Sequence, residues 1–482
     1  MNNNIKGEIL IRADGDGRTG LGHLVRCSAL AQMLKDDFDI IFYSRFIPGS
    51  LAFELRRNGF NVVRITNEKD FLAYITPDKI IIIDGYDFDT DYQRTIKYKD
   101  AKLICIDDLH DKEFMADLII NHTPGVKPKD YMAQPYTQYA LGPEYVLLRP
   151  VFLEQAKKNR QVDKVETVLI CFGGADPDGL TLKALITVSE FKKFNRIVVI
   201  TGAAFNRKSE FDKILVSDPR ISYRHNLSER QMVEALVDSD LAIVPSSGIL
   251  FEALVAGCVV IAGMTTSNQK YLYESLRGTG LFIDANSFSN NELSKAISTA
   301  LWDRPNSTKI IDGKSKERIL KLTNQLYNEL LITLRDVNKE DKDLTYGWAS
   351  NQEIRRFSFN RHPISFKEHT EWFNRKINDP SCLYLIADYK GESIGSIRFD
   401  ITEGEAVINY LLNPEYQGKG FGLVILKKGI ERLMKEKLSS LNPLKILIGE
   451  VMKDNIPSIK SFNRLGFIAY DLGYKYRFEK LL

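Results

Sequence analysis

The chain has 482 residues, more than one hydrophobic core normally supports, and this length predicts about three folding units. Its 44% hydrophobic and 27% charged residues are typical of a globular protein that folds in water, and a net charge of +3 gives no electrostatic basis for nucleic-acid binding. Apolar runs such as Ile80–Ile83 are far shorter than the ~20 residues that cross a bilayer, and the polar start Met1–Gly7 lacks a signal core. We therefore expect a cytoplasmic protein without a membrane or nucleic-acid partner.

Cysteine and histidine spacing argues against a metal site. The five cysteines are scattered and form no metal-type pairs, which is typical of buried thiols in a reducing compartment. The six histidines show neither HxxxH nor HExxH spacing. The spacing therefore argues against a structural metal site and leaves a catalytic metal open.

Two similar α/β blocks occupy the first two thirds of the chain. Short, nearly continuous apolar runs alternate with helical stretches from Glu8 to about Arg149, as expected for parallel strands covered on both faces, and the pattern restarts from Val165 to about Trp302. This predicts two facing, doubly wound Rossmann-like domains, residues 1–155 and 156–330. The predicted strands are Ile9–Ile11, Ile40–Tyr43, Ile80–Asp84, Leu103–Asp107, Val168–Cys171, Arg196–Ile200, Leu241–Val244 and Val259–Ala262.

The last third has a different pattern. An amphipathic helix over Ser315–Leu330 is expected to close the second block, and a new domain, residues 331–482, follows. Its strands Leu383–Asp388 and Ser393–Phe399 are separated by Lys390–Glu392, which is a hairpin signal. Antiparallel strands followed by a long helix predict an α+β domain.

A glycine-rich segment running to His23 follows the first predicted strand and opens a helix, His23–Lys35. Gly20 and Gly22 let the backbone approach a ligand closely, and the free N–H groups of a helix start attract anions. The positive end of the helix dipole disfavours a protonated His23, leaving an imidazole that accepts a proton. A tight turn with a capping histidine is the simpler interpretation of this segment alone.

Polar and glycine residues also follow the strands of the second block. Two helix starts facing one crevice can hold a diphosphate, and a carboxylate one turn into a helix can accept hydrogen bonds from ribose hydroxyls. Glu252 is the candidate carboxylate, although in isolation it would be interpreted as a solvated helix residue. The candidate binding residues are Gly173, Gly174, Ser246, Ser247, Gly248, Glu252, Asn268 and Gln269.

The ordered segments RAD…GLGHLVRC, IDGY, IDDL, YALGPEYVLLRP, CFGGADPDGLT and PSSGILFEALVAG…NQ resemble the UDP-sugar hydrolases of pseudaminic acid biosynthesis, over roughly residues 8–330. That resemblance implies a GT-B architecture. It also implies metal-independent hydrolysis of UDP-2,4-diacetamido-2,4,6-trideoxy-β-L-altropyranose, with water displacing UDP at the anomeric carbon.

Site residues follow from the same resemblance. It implies that His23 is the base that activates water, that Tyr86 contacts substrate, and that Asn268 and Gln269 lie near the sugar and diphosphate. It implies that Ser247, Gly248 and Glu252 hold UDP. Asp14 either orients His23 or caps the loop, and Tyr86 is alternatively a half-buried aromatic at a strand end.

A second glycine loop lies in the last third. The predicted strand Val407–Leu412 leads into Gln417, Gly418, Lys419, Gly420, Phe421 and Gly422, and then into a helix over Leu423–Lys435. Consecutive backbone N–H groups at a helix start are suited to the pyrophosphate of CoA. A glycine loop alone is weak evidence, but Asn455 and the later Gly466–Phe467 pair follow in order.

These features resemble the GCN5-related N-acetyltransferase (GNAT) family over roughly residues 331–482. The resemblance implies that acetyl-CoA is the co-substrate, that the backbone of Leu411 and Leu412 binds the pantetheine arm, that the glycine loop binds the pyrophosphate, and that Asn455 lies beside the thiol. The segment opening at Leu334, with Trp348 and Trp372, resembles the pseudaminic-pathway acetyltransferase, which acetylates the 4-amino group of UDP-4-amino-4,6-dideoxy-N-acetyl-β-L-altrosamine. Both tryptophans are equally interpretable as core residues.

This sequence departs from the GNAT pattern at Phe462, where many members carry a tyrosine proposed to protonate the leaving thiolate. Tyr410, Tyr474 or water remain candidates for the acid. Glu450 is either a base acting through water or a strand-end surface charge.

Together the two resemblances predict a bifunctional enzyme whose acetyltransferase makes the molecule that its hydrolase consumes. Two alternatives stay open for the first part: a glycosyltransferase that uses the same UDP crevice, and a non-catalytic nucleotide-sugar-binding module. A UDP-sugar supplied alone separates the first alternative from a hydrolase, because only a hydrolase releases free sugar.

Overall fold

The computed structural model describes residues 6–15, 20–174, 176–202, 205–206, 209–302, 309–437 and 444–482. The polar start Met1–Ile5 and the motif residues Asp16–Thr19 and Ala175 lie outside these ranges. The chain divides into two compact units, residues 1–323 and 324–482.

The first half of the first unit is a parallel sheet flanked by helices. Within the described residues its strand order is β3-β2-β1-β4-β5-β7-β9, and each neighbouring pair is parallel. Its elements are β1 (Gly7–Ala13), α1 (Gly22–Leu34), β2 (Phe38–Ser44), α2 (Gly49–Arg57), β3 (Asn61–Arg64), α3 (Glu68–Ala73), β4 (Ile80–Asp84), α4 (Thr90–Lys97), β5 (Lys102–Ile106), β6 (Glu113–Phe114), β7 (Leu118–Asn121), β8 (Met132–Ala133), β9 (Gln138–Leu141) and α5 (Pro150–Ala156).

A second parallel sheet forms the other half of this unit, in the order β12-β11-β10-β13-β14-β15. Its elements are β10 (Thr167–Ile170), α6 (Leu180–Ser189), β11 (Arg196–Thr201), α7 (Ser209–Ser217), β12 (Ile221–His225), α8 (Glu229–Val237), β13 (Leu241–Pro245), α9 (Gly248–Val255), β14 (Val259–Gly263), α10 (Lys270–Leu276), β15 (Ile283–Asp284) and α11 (Asn290–Trp302). Helix α12 (Ser315–Leu331) follows.

Continuous apolar sequence explains these strands. Every residue of β4 and β13 is buried, as a parallel strand covered by helices on both faces requires. Of the eight strands predicted in this region, six agree with the structure to within one residue at each end, whereas β1 extends two residues further at both ends and β2 begins two residues earlier. Helix α1 is shifted by one residue from the predicted helix. Because all strands of a sheet run the same way, the residues that follow them meet at one edge.

The second unit is a mixed sheet in the order β16-β17-β18-β19-β20-β22-β21, and β19–β20 is its parallel pair within the described residues. Its elements are β16 (Ile332–Asp336), α13 (Lys342–Ser350), α14 (Gln352–Arg355), α15 (Phe366–Ile377), β17 (Cys382–Tyr389), β18 (Glu392–Thr402), β19 (Glu405–Leu412), α16 (Phe421–Lys437), β20 (Ile446–Met452), α17 (Ile456–Arg464), β21 (Ile468–Asp471) and β22 (Lys475–Leu481). The predicted α+β class is confirmed.

Local signals explain two of its features. Lys390 and Gly391 have φ values of 52° and 83°, the left-handed pair that a two-residue hairpin between β17 and β18 needs. Ser365 and Glu368 form a reciprocal capping box at the start of α15.

Strands β19 and β20 separate before they end. Their pairing runs from Glu405–Ile446 to Ile408–Gly449, yet β19 continues to Leu412 and β20 to Met452. The last residues of β19 therefore have a backbone edge that β20 does not cover.

Candidate functional sites

His23 lies at the start of α1, directly after the first glycine segment, and its ring is tied to the neighbouring strand. Its Nδ1 lies 2.7 Å from Oδ1 of Asp84, the fully buried last residue of β4. Burial alone raises the pKa of Asp84, but the charges and hydrogen bonds of Arg26 and His23 hold it well below its usual range. An ionised carboxylate only accepts hydrogen bonds, so Nδ1 is the donor, and in the neutral tautomer that this bond selects Nε2 carries the lone pair.

Arg26 lies one turn further along α1 and holds the same carboxylate. Its Nε and Nη2 donate to the two oxygens of Asp84, each at 2.6 Å, and its Nη1 donates to Asp108 at 2.8 Å. Nη2 also lies 3.1 Å from Nδ1 of His23, because Nη2 and Nδ1 both bond to Oδ1 of Asp84. Asp84, Arg26 and Asp108 thus form a fork-shaped ion-pair network that fixes the histidine ring.

Asp14 bonds to the loop after β2 and to Arg12, and does not orient His23 as one of its two considered roles would require. One oxygen accepts from the backbone N–H groups of Arg45 and Phe46 at 2.7 and 3.0 Å, and the other accepts from Arg12 at 2.7 Å. Asp14 therefore caps the neighbouring loop, and Asp84 holds His23. The signal for Asp84 was present in the sequence, since a carboxylate ends a continuous apolar strand.

Tyr86 and Asn268 come from different halves of the first unit and meet. The Asn268 amide donates to the Tyr86 hydroxyl at 3.3 Å, and that hydroxyl donates to Asp108 at 3.3 Å. The Tyr86 ring packs edge-on against His23 with centroids 4.8 Å apart. Burial, followed by the Asp108 charge, raises the pKa of Tyr86 to about 12, so its hydroxyl stays protonated at neutral pH. Gln269 instead bonds to Thr265 within its own loop.

The two predicted glycine segments also approach each other. Gly20 and Gly173 have φ values of 81° and 87°, and Gly22 is the first residue of α1. A Cβ built on Gly174 would lie 3.7 Å from Cδ1 of Leu21, and one built on Gly202 would lie 2.6 Å from Cα of Gly174. The positive φ values favour glycine at positions 20 and 173, and the approach of Gly174 leaves no room for a side chain at Gly202.

Helix α9 begins at Gly248, with Ser247 as its N-cap, and leaves polar groups without partners. Ser246, just before it, is fully buried, and its hydroxyl has no hydrogen-bond partner. One turn along, Glu252 is buried and accepts from Arg149 at 2.7 Å. Burial raises the pKa of Glu252 against the lowering effect of Arg149. Glu252 is thus a buried, ion-paired residue and not the solvated helix residue that it would be interpreted as in isolation, and Arg149 is a neighbour that the motif search missed.

In the second unit, the loop before α16 has open space around it. Gly418 and Gly420 have φ values of 76° and 84°, and a Cβ on either would have no neighbour within 4 Å. Lys419 lies over the ring of Tyr416 at 4.9 Å, and Gln417 approaches the carbonyl of Leu412 at 3.4 Å. Phe421 and Gly422 begin α16, whose first N–H groups have no partner within the helix. The loop fits a pyrophosphate.

The uncovered edge of β19 lies beside α17. Leu411 and Leu412 pair with Ser396 and Gly395 on the β18 side, and their other edge is beyond the last β19–β20 pair. Asn455 caps α17 by accepting from Ser458 N at 3.2 Å. An extended amide chain can therefore add along this edge.

Phe462 and Tyr410 pack together, with ring centroids 6.2 Å apart, next to the last β19–β20 pair. A Cβ on Gly449 would lie 2.4 Å from the Phe462 ring, so this glycine makes room for the phenylalanine. Tyr410 donates its hydroxyl to Ser458 at 3.0 Å, and burial raises its pKa. Tyr474, by contrast, is 64% exposed in the turn between β21 and β22.

The remaining candidates are structural or surface residues. Glu450 forms an ion pair with Lys475 at 2.7 Å. Trp348 is buried, and Trp372 is half-buried beneath the Arg398 guanidinium at 4.9 Å. Among the described residues, no cluster of three or more His, Cys, Asp or Glu side chains could hold a metal ion. None of the helices described here has the length and hydrophobicity needed to cross a bilayer.

Comparisons with known proteins cover both units. A protein of Methanocaldococcus jannaschii without an assigned function is 26% identical over 95% of this chain and 96% of its own. The spore coat polysaccharide biosynthesis protein SpsG of Bacillus subtilis is 27% identical over 52% of this chain and 76% of its own. The structure of a Vibrio cholerae spermidine N-acetyltransferase with CoA and spermine is 22% identical, covering 31% of this chain and 95% of that one with a TM-score of 0.28. Residues 332–468 match the family model of the acetyltransferase (GNAT) domain, so the second unit carries a GNAT acetyltransferase domain.

Proposed function

We propose that the first unit hydrolyses a UDP-linked sugar at its anomeric carbon and that the second acetylates the sugar's amino group beforehand. The observation that carries the hydrolase assignment is the Asp84–His23 pair beside the Tyr86–Asn268 bridge. The proposed substrate is UDP-2,4-diacetamido-2,4,6-trideoxy-β-L-altropyranose, and the proposed architecture of the first unit is of the GT-B type.

In this mechanism His23 acts as the base. Water attacks C1, the bond between C1 and the diphosphate oxygen breaks, UDP departs, and Nε2 of His23 takes the proton from water. Asp84 stabilises the imidazolium that forms, and Arg26 keeps that carboxylate charged. The N–H groups at the start of α9 and the buried Ser246 hydroxyl are suited to hydrogen-bonding the diphosphate as its charge grows.

Acetyl transfer is supported by the GNAT match, the open glycine loop and the free edge of β19. The acceptor amine attacks the thioester carbonyl of acetyl-CoA, a C–N bond forms and the C–S bond breaks. The nitrogen gives up one proton to water, and the leaving thiolate takes one from an acid. We assign that proton to Tyr410, because its hydroxyl bonds to Ser458 of α17 beside the uncovered end of β19 while Tyr474 is exposed. A relative that spans 95% of this chain supports joint action of the two units.

The test uses the full chain and UDP-4-amino-4,6-dideoxy-N-acetyl-β-L-altrosamine, followed by NMR. With acetyl-CoA, the acetylated UDP-sugar should appear first, and free sugar and UDP should follow. His23→Ala should stop at the acetylated UDP-sugar, because a general base contributes ~10²–10⁴-fold to the rate. Acetylation without any release of free sugar by wild type would reject the hydrolase assignment.

A glycosyltransferase is the second candidate, since the relative from Bacillus subtilis is named for spore coat polysaccharide biosynthesis. A transferase needs an acceptor other than water. If the acetylated UDP-sugar supplied alone stays intact, and UDP is released only when an acceptor glycan is added, this candidate replaces hydrolysis.

A further inference from the structure

His122 is a histidine of the first unit that the proposed mechanism does not use. It directly follows β7, so it lies at the sheet edge where Asp84 ends β4 and Asp108 follows β5. Its half-buried ring meets the Phe251 ring edge-on, with centroids 5.2 Å apart. Because Phe251 belongs to α9 of the other half, His122 lies where the His23 network faces the helix proposed to bind the diphosphate.

The ring of His122 has unused hydrogen-bonding capacity. No described residue hydrogen-bonds either of its nitrogens, and neither nitrogen is sealed from solvent. His110, on the preceding loop, differs, because its unpaired Nδ1 is fully buried. A partly accessible polar ring without partners is therefore available to a ligand.

The charge state of His122 follows from its surroundings. Burial, followed by the Arg26 charge, lowers the pKa of His122 to about 4 against the opposing pull of Asp108 and Asp84. The ring is consequently neutral at physiological pH, with one N–H donor and one lone pair.

The charged side chains near His122 determine which kind of ligand group its ring can bind. Arg26, whose charge acts most strongly on the ring, is already paired with Asp84 and Asp108, so these three groups offer no uncommitted positive charge near the ring. A diphosphate therefore gains no ion pair from them, whereas a neutral hydroxyl or acylamido group needs none.

We propose that His122 hydrogen-bonds a neutral polar substituent of the sugar moiety and thereby helps this site to select its UDP-sugar. This inference rests on the proposed function and extends it to a specificity-determining residue. It assigns the contact to the sugar and not to the UDP portion.

The experiment compares wild type with His122→Phe, which keeps a ring against Phe251 but lacks both nitrogens, and with His122→Asn, which restores a donor and an acceptor. His362→Phe, at an exposed histidine of the second unit, is the matched control. The measurements are kcat/KM for the acetylated UDP-sugar and the inhibition constant of UDP, with circular dichroism to verify folding.

We expect His122→Phe to lower kcat/KM about 3–10-fold, the range for one lost neutral hydrogen bond. UDP inhibition should stay within about twofold, and His122→Asn should recover part of the loss. An unchanged kcat/KM, or a parallel loss of UDP affinity, would overturn the sugar contact. If wild type binds the UDP-sugar without hydrolysing it, the hydrolase assignment fails, and the ratio of dissociation constants for UDP-sugar and UDP then decides the His122 contact.

Discussion

Replacing Asp84 by asparagine tests the proposed site most directly. The wild-type carboxylate accepts from His23 at 2.7 Å and from Arg26 twice at 2.6 Å, with the Cys27 thiol at 3.6 Å. An amide of the same shape has one oxygen acceptor and an NH2 group, so at least one of the converging donors then faces another donor.

The expected magnitudes follow from this loss. Breaking a buried ion pair costs about 3–5 kcal/mol of unfolding free energy, and we expect the lower end because Asp108 still pairs with Arg26. Sugar release should fall by ~10²–10⁴-fold, the contribution of a general base, because His23 loses its fixed tautomer. Acetyl transfer by the second unit should be unchanged.

Asp117→Asn is the matched control. Asp117 is also buried, and it pairs with Lys97 and Lys102 without touching His23. Chemical denaturation gives the unfolding free energy, and NMR detection of free sugar gives the rate. A folded Asp84→Asn protein that releases sugar within about threefold of wild type would refute the assignment of Asp84 to His23.

Three further predictions concern the loop, the acid and pH. Gly420→Ala should raise the KM for acetyl-CoA about tenfold, because its φ of 84° is strained for alanine and the loop must close on the pyrophosphate. Gly473→Ala, with the same φ of 84° in a distant turn, should lower stability only, and equal KM values in the two variants would contradict this prediction. Tyr410→Phe should lower the kcat of acetyl transfer about tenfold or more while Tyr474→Phe leaves it unchanged, and the opposite order would exclude Tyr410 as the acid. Because the folded-state pKa of Asp84 is depressed, its contribution to stability is complete above its unfolded pKa of about 4 and declines as pH falls below that value, so denaturation curves at pH 3 and 6 should differ more for wild type than for Asp84→Asn.

The sequence was sufficient wherever the signal was local. Continuous apolar runs such as Ile80–Asp84 predicted the central strands, because a strand buried on both faces needs no polar alternation. Short strands at or near the sheet margins, such as β9 (QYAL) and β12 (ISYRH), were not predicted, because four or five partly buried residues of mixed polarity do not differ from loop sequence.

By itself the sequence determined the order of the α/β and α+β elements, the two glycine loops and the helix position of His23. Only the tertiary structure decided the partners: Asp84, sixty-one residues away in sequence, holds His23 where Asp14 was considered, and Asn268 bridges 182 residues to Tyr86. Apolar periodicity and turn residues act over a few positions. Partner choice depends instead on which strand ends become neighbours in the sheet, and neither composition nor spacing encodes that order.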